Sequence, residues 1–224
     1  MEERKFVQLK KEEFKIKEYI KGAVGKSKVS AVSIEYTPIG EKIVIATSKP
    51  GFVIGRKGEK ITELTDTLKK QFKLENPHIE IKEIDKPEFD AQTMADEIAI
   101  SLERFGSLKF KVVAYKMLQR IIKAGALGVE IRLGGKLPSE RARNWRFAEG
   151  YLKKTGDTAK IVDRAEAVAQ TLPGTIGVKV AILSPYKKIH DKIVINEELK
   201  QKITENQKIQ KIKTENGNNK KKRN

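Results

Sequence analysis

The chain has 224 residues, no cysteine, and 47 Lys plus Arg against 30 Asp plus Glu, a formal net charge of +17. The missing thiols exclude disulfides, cysteine–zinc clusters and thiol catalysis, and no apolar run approaches the ~20 residues of a membrane-spanning helix. A cation excess of this size repels itself unless it faces a polyanion, and with aromatics at only 6% the contact is expected through phosphates rather than stacked bases.

The first residues, Met1 to Phe6, lack the apolar core of a secretory signal, so a cytoplasmic location is expected. From Glu12 to Val24, apolar residues at Phe14, Ile16, Tyr19, Ile20 and Ala23 form a helical stripe ending near Gly25. Val29 to Tyr36 is β-branched and alternating, Thr37-Pro38-Ile39-Gly40 reads as a turn, and Lys42 to Thr47 as a second strand. After Pro50-Gly51, a helical turn from Phe52 to Ile54 leads into Gly55-Arg56-Lys57-Gly58. Ile61, Leu64, Thr65, Leu68 and Phe72 then mark one face of an amphipathic helix. Asn76-Pro77 breaks it, and His78 to Ile84 alternates as a third strand.

The glycine pair is the chemical centre of this first unit. Without Cβ atoms, Gly55 and Gly58 allow tight dihedrals and bring backbone N–H groups close to a polyanion. Arg56 and Lys57 place charge at the tip, and Lys60 follows on the next helix. The order helix, strand, strand, short helix, G-x-x-G, helix, strand resembles a type II K-homology domain. That module implies a loop clamping the backbone of four nucleotides.

Asp85-Lys86-Pro87 reads as a linker. Beyond it, Ala91, Met94, Ala95, Ile98, Leu102 and Phe105 line a helix that stops at Gly106. A second helix from Leu108 to Ala124 buries Val113, Met117, Leu118, Ile121 and Ile122 while carrying Lys109, Lys111, Lys116, Arg120 and Lys123. Gly128 to Leu133 reads as a strand and Gly134-Gly135 as a turn. Trp145 to Lys153, Thr158 to Thr171 and Gly177 to Leu183 read as further strands, with Pro173-Gly174 as a hairpin turn. Helix competes with strand over Glu166 to Thr171, and strand is preferred across Asp163 to Thr171. Lys136, Arg141, Arg143 and Arg146 form a second basic cluster, whose alternative is a solvated face paired with Glu140 and Glu149. The fold class is therefore α+β. Residues 1–85 form the K-homology unit, and 86–196 form two helices on a three- to four-stranded sheet. Residues 197–224, rich in Lys, Asn and Gln, form a disordered basic tail.

Lys49-Pro-Gly-Phe-Val-Ile-Gly-Arg-Lys-Gly-Glu-Lys-Ile61, Leu102-Glu-Arg104, Gly134-Gly-Lys-Leu137 with Arg141-Ala-Arg143, and Gly174-Thr-Ile-Gly-Val-Lys-Val-Ala-Ile182 follow one another in this order. Together they make the chain closely similar to the small-subunit ribosomal protein S-three family over roughly residues 1–195. Glu3 to Val7 resembles archaeal members more than bacterial ones. The resemblance implies a structural constituent of the small-subunit head that binds ribosomal RNA and neighbouring head proteins. It also implies a place at the entrance of the messenger-RNA channel, where single-stranded message is held and helped to unwind, in a cytoplasmic, ribosome-bound protein. Bacterial members carry adjacent arginines and a lysine on the second helix of the C-terminal domain for that task. Here Lys111 keeps one of those charges, Val112 and Tyr115 do not, and Lys109, Lys116 and Arg120 are the substitutes on offer.

Other chemistry finds little support. Gly22-Ala-Val-Gly25-Lys26-Ser27 mimics a phosphate loop, but the required glycine five positions before Gly25 is Ile20. His78 and His190 form neither a metal pair nor part of a nucleophilic triad, and Asp157 with Asp163 is a weak acid pair. No cofactor, metal, small-molecule substrate, membrane partner or catalytic residue is expected. Two further readings stay open: a free-standing K-homology RNA regulator, and a nuclease or lyase. The loop motif does not choose among message, ribosomal RNA and neither.

Overall fold

A computed structural model describes residues 2–187 and 189, apart from residues 26, 39, 73 and 75. The expected tail at 197–224 lies outside the described residues, as does His190.

The first unit begins with α1 (Glu2–Val24), followed by β1 (Ala31–Thr37) and β2 (Gly40–Thr47). Next come α2 (Pro50–Ile54), α3 (Glu59–Phe72) and β3 (His78–Glu83). Its sheet has the order β1-β2-β3, with β2 antiparallel to β1 and parallel to β3. Ile16, Ile20 and Val24, four residues apart, bring one face of α1 onto Ile43 and Ile45 of β2. Val53, Leu64 and Leu68 complete that core. Each such side chain taken fully from water stabilises the fold by roughly 1.5–3 kcal/mol. The helix α1 starts ten residues earlier than its apolar stripe suggested. Residues 2–11 contain neither Gly nor Pro, so propensity carries the helix onward though residues 3–11 stay exposed.

The second unit comprises α4 (Ala91–Phe105), α5 (Phe110–Lys123), β4 (Gly128–Lys136), β5 (Ala142–Gly150), β6 (Asp163–Thr171) and β7 (Gly174–Leu183). The four strands form one antiparallel sheet in the order β5-β4-β7-β6. Met94, Ile98 and Leu102 of α4, with Phe110, Leu118 and Ile121 of α5, pack on Ile131, Leu133, Val178 and Val180. Asp90 caps α4 by accepting from the Thr93 N–H at 2.8 Å. Asp163 accepts from the Ala91 N–H at 2.9 Å, tying the start of β6 to that helix. The carboxylate weighed as half of an acid pair thus has a structural partner. The Ser30 hydroxyl donates to Asp90 at 2.7 Å and the Ser27 N–H to Asp96 at 3.1 Å, linking the first unit to α4.

Several boundaries move for physical reasons. Gly134-Gly135, expected as a turn, lies within β4 because both glycines face neighbours too close for a side chain. A Cβ on Gly134 would stand 2.5 Å from the Asn144 Oδ1, and one on Gly135 3.0 Å from the Thr175 carbonyl oxygen. Consequently β5 pairs from Ala142 rather than Trp145, and ends at Gly150 rather than Lys153. Residues Asp157–Ile161 form a tight 3₁₀ turn rather than the first part of a strand, whereas the strand over Asp163–Thr171 is as expected. Thr171 pairs with Gly174 across a two-residue turn, so β7 begins three residues before Gly177.

Candidate nucleic-acid interface

The glycine loop sits where α2 meets α3. The Gly55 N–H donates to the Gly51 carbonyl at 3.0 Å, closing α2. Gly55 then turns outward with φ +75°. Residues Arg56–Gly58 make a 3₁₀ turn in which Lys57 is left-handed at φ +52° and Gly58 has φ +81°. A non-glycine residue at positive φ is uncommon and mildly strained; here it holds the Lys57 side chain at the tip of the turn. Arg56 and Lys57 are exposed, while Gly55, Gly58 and Lys60 are half-buried. A Cβ on Gly55 would lie 2.7 Å from the Lys60 Cβ, so this glycine is required by close approach of α3 as well as by its dihedral. A shallow hollow of roughly 510 Å³ runs beside the loop, between Phe52, Arg56 and Lys60. The half-exposed Phe52 ring stands at its edge with the Lys28 ammonium 4.5 Å from the ring centre.

A broader hollow of roughly 730 Å³ opens where Ser27 and Lys49 of the first unit approach α4 and α5. Lys116, Arg120 and Lys123 line it from α5, against one acid, Glu97. Lys116 is exposed, but Arg120 is already engaged: it donates to Glu97 at 2.8 Å and Glu88 at 3.0 Å. Burial works against the Glu88 carboxylate, yet its hydrogen bonds, including the one from Arg120, hold its pKa below the usual range. Of the other helix cations, the Lys111 ammonium lies 4.7 Å from the Trp145 ring centre. Lys109 lies 5.9 Å from the Phe105 ring centre. Tyr115 packs edge-on to Phe147 at 5.1 Å between centroids.

The structure divides the second basic cluster. Register places Lys136 and Arg146 on the sheet face turned away from the helices. Arg143 pairs with Gly135 and shares the side of Trp145 and Phe147, at the sheet's end where it remains exposed. Arg141 lies just before β5 and is exposed. Arg146 bonds neither Glu140 nor Glu149 in the contacts observed; its partner is Glu130, at 2.9 and 3.3 Å.

Glu130 is the residue that sequence reasoning missed. It is only 4% exposed, on the outer face of a central strand. Besides Arg146 it accepts from the Arg132 Nε at 2.5 Å and pairs with the Lys154 ammonium at 2.8 Å. Burial alone would raise its pKa; hydrogen bonds from Lys154, Arg146 and Arg132 outweigh that and hold it at about 2. The alternation Val129-Glu130-Ile131-Arg132-Leu133 was the available signal, since it sets Glu130 and Arg132 on the face opposite the core.

No group of three or more His, Asp or Glu side chains able to hold a metal occurs among the described residues. Nor is any helix among them long and apolar enough to cross a membrane.

With this geometry in view, two family models match the chain: the KH domain over residues 15–89, and "Ribosomal protein S3, C-terminal domain" over residues 98–182. A protein of Methanocaldococcus jannaschii described as "Small ribosomal subunit protein uS3" is 44% identical over 210 residues, covering 92% of this chain and all of the relative. One from Methanococcus vannielii with the same description is 40% identical over 196 residues, covering 87% of this chain and 92% of the relative. Another from Methanosphaera stadtmanae is 37% identical, covering 88% and 78% respectively. Both units and their connection fall within these matches, and the chain belongs to the small ribosomal subunit protein uS3 family.

Proposed function

We propose that this chain is an RNA-binding structural protein of the small ribosomal subunit, attached to ribosomal RNA and neighbouring head proteins and lining the messenger-RNA channel at its entrance. The observation that carries the reading is the exposed Gly55–Gly58 loop, whose Arg56 and Lys57 tip opens beside a hollow edged by Phe52. The units at 1–85 and 86–196 each contribute a basic surface. In the first, Gly55 and Gly58 allow a sugar–phosphate chain close to backbone, while Arg56, Lys57 and Lys60 neutralise it. In the second, Lys109 just before α5 and Lys111 and Lys116 on it supply exposed charge, Lys111 on the Trp145 side and Lys116 at the hollow beside Glu97, with Arg120 held by Glu88 and Glu97. Lys136, Arg141, Arg143 and Arg146 extend the cationic surface around the β4–β5 hairpin.

Cations on a channel wall bind separated strands more tightly than they bind re-paired ones if the wall admits only one chain. Re-pairing is then disfavoured without hydrolysis of a nucleotide, provided the strand is pulled by something else. The proposed role at the channel entrance is supported by this property and by family membership, and it assigns the protein no covalent chemistry.

Sedimentation of a tagged copy through a high-salt gradient tests the assignment. Co-migration with the small subunit is expected; a wholly free protein would favour a K-homology regulator instead. Chelator-sensitive cleavage of labelled RNA by the purified chain would point to an enzyme and displace both.

A further inference from the structure

The outer face of the second sheet carries an arrangement that neither the loop nor α5 explains. Arg146, Arg132 and Lys179 lie directly opposite one another on the adjacent strands β5, β4 and β7. Strands are about 4.8 Å apart, and like charges placed directly opposite destabilise a sheet. Glu130 offsets part of this by bonding Arg132 and Arg146, and Glu166 pairs with Lys179 at 2.7 Å. Two acids nevertheless meet five cations here, since Lys154 and Arg164 border the same hollow of roughly 360 Å³. The row is held in place yet left positively charged.

Small side chains lie beside the row on the strands themselves. On the next rung toward the β4–β5 hairpin, Gly134 faces Gly177 on β7 and Asn144 on β5. On the opposite rung, Glu130 is flanked by Ala148 and Ala181. No aromatic side chain projects from this face along the four strands, so unstacked bases would find no platform. Guanidinium forks on a cationic surface without aromatic side chains suit phosphate oxygens of a paired helix, whose bases are already stacked.

We infer that the outer face of the β5-β4-β7-β6 sheet is a second RNA-docking surface, which takes the phosphate backbone of base-paired RNA on the row Arg146–Arg132–Lys179, with Glu130 as the positioning residue. This rests on the RNA-binding reading above and adds a different ligand to it: helical RNA here, a single strand at the glycine loop. Glu130 acts through the cations by fixing two guanidinium groups and one ammonium on a surface that would otherwise scatter them.

The test measures binding of the full chain to two probes across a salt series: full-length small-subunit ribosomal RNA from the same organism, and a 20-nucleotide oligouridylate. R132Q/K179Q is compared with R56Q/K57Q, and circular dichroism with Trp145 emission checks folding. R132Q/K179Q is expected to weaken ribosomal-RNA binding on the order of tenfold and to flatten its log–log salt slope by roughly 1.8, two phosphates' worth. Its oligouridylate affinity stays at the unaltered value, and R56Q/K57Q shows the reverse preference. N144D, which keeps the side-chain shape beside Gly134 but adds a negative charge, is expected to weaken ribosomal-RNA binding as well, so the result does not hang on one variant's folding. Equal ribosomal-RNA affinities and slopes for R132Q/K179Q, N144D and the unaltered chain overturn the sheet-face proposal alone. An unaltered chain that binds neither RNA overturns the RNA-binding reading together with it.

Discussion

Replacing Glu130 by glutamine removes one negative charge from the centre of three cations while keeping nearly the same shape. In the folded protein this carboxyl holds its proton only near pH 2, against an ordinary 4.5. At about 1.36 kcal/mol per pKa unit, that difference corresponds to about 3 kcal/mol of stability at neutral pH. Arg132, Arg146 and Lys154 remain 57%, 55% and 44% exposed, so water can resolvate them once the carboxylate is gone. The expected loss at pH 7 is therefore about 2–3 kcal/mol rather than the 3–5 of a fully buried broken pair. The pH dependence has a definite sign. Because the folded pKa lies below the unfolded one, the unfolded chain takes up this proton first, so the contribution is complete above about pH 4.5 and is lost as pH falls through about 2. Urea titrations between pH 7 and pH 3, followed by Trp145 emission, read this directly, because the chain's single tryptophan lies on β5 against Phe110. E130Q should be less stable at pH 7 and should converge toward the unaltered protein in acid. Equal stability at pH 7, or an unchanged gap down to pH 3, would refute the view that the three cations hold this carboxylate.

The two loop glycines should respond unequally to alanine. G55A meets both a positive φ and a Lys60 Cβ at 2.7 Å, so it should lower the melting temperature and weaken oligouridylate binding. G58A meets open space and only the dihedral penalty, about 1–2 kcal/mol; equal melting losses for the two would contradict the packing argument. Among the α5 cations, K116Q should reduce RNA affinity more than R120Q, whose charge is already shared by Glu88 and Glu97. R120Q should instead lower thermal stability, and the reverse ranking in filter binding would count against this division. I131A, at a fully buried position between α4, α5 and the sheet, should cost roughly 2–5 kcal/mol in chemical denaturation.

Much of this architecture is legible in the sequence. The helical spacing of Ile16 and Ile20 indicated the face of α1 that packs on β2, and β-branched alternation located β1 and β2 to within two residues. The preference for strand over Asp163–Thr171 was correct because alternate residues on β6 meet the core, as buried Ala165 and Ala169 show. Gly134-Gly135 misled because a glycine pair marks equally a turn or a strand pressed by its neighbours, and only Asn144 and Thr175 distinguish the two. The residues Lys136, Arg141, Arg143 and Arg146 read as one cluster in the sequence, but a period of two sends Arg143 and Arg146 to opposite faces.

The sequence alone determined what local pattern and charge balance can carry: two α+β units, a loop built on glycine with cations at its tip, and an excess of positive charge suited to a polyanion. Tertiary structure decided which cations are available and which are already engaged. Arg120 lies 23 residues from Glu97, and Lys179 lies 47 residues from Arg132, so no local window contains these neighbourhoods. Electrostatic energy falls with distance through space rather than along the chain. The pairing that leaves one arginine bound to acids and another facing solvent therefore exists only once the helices and strands have packed.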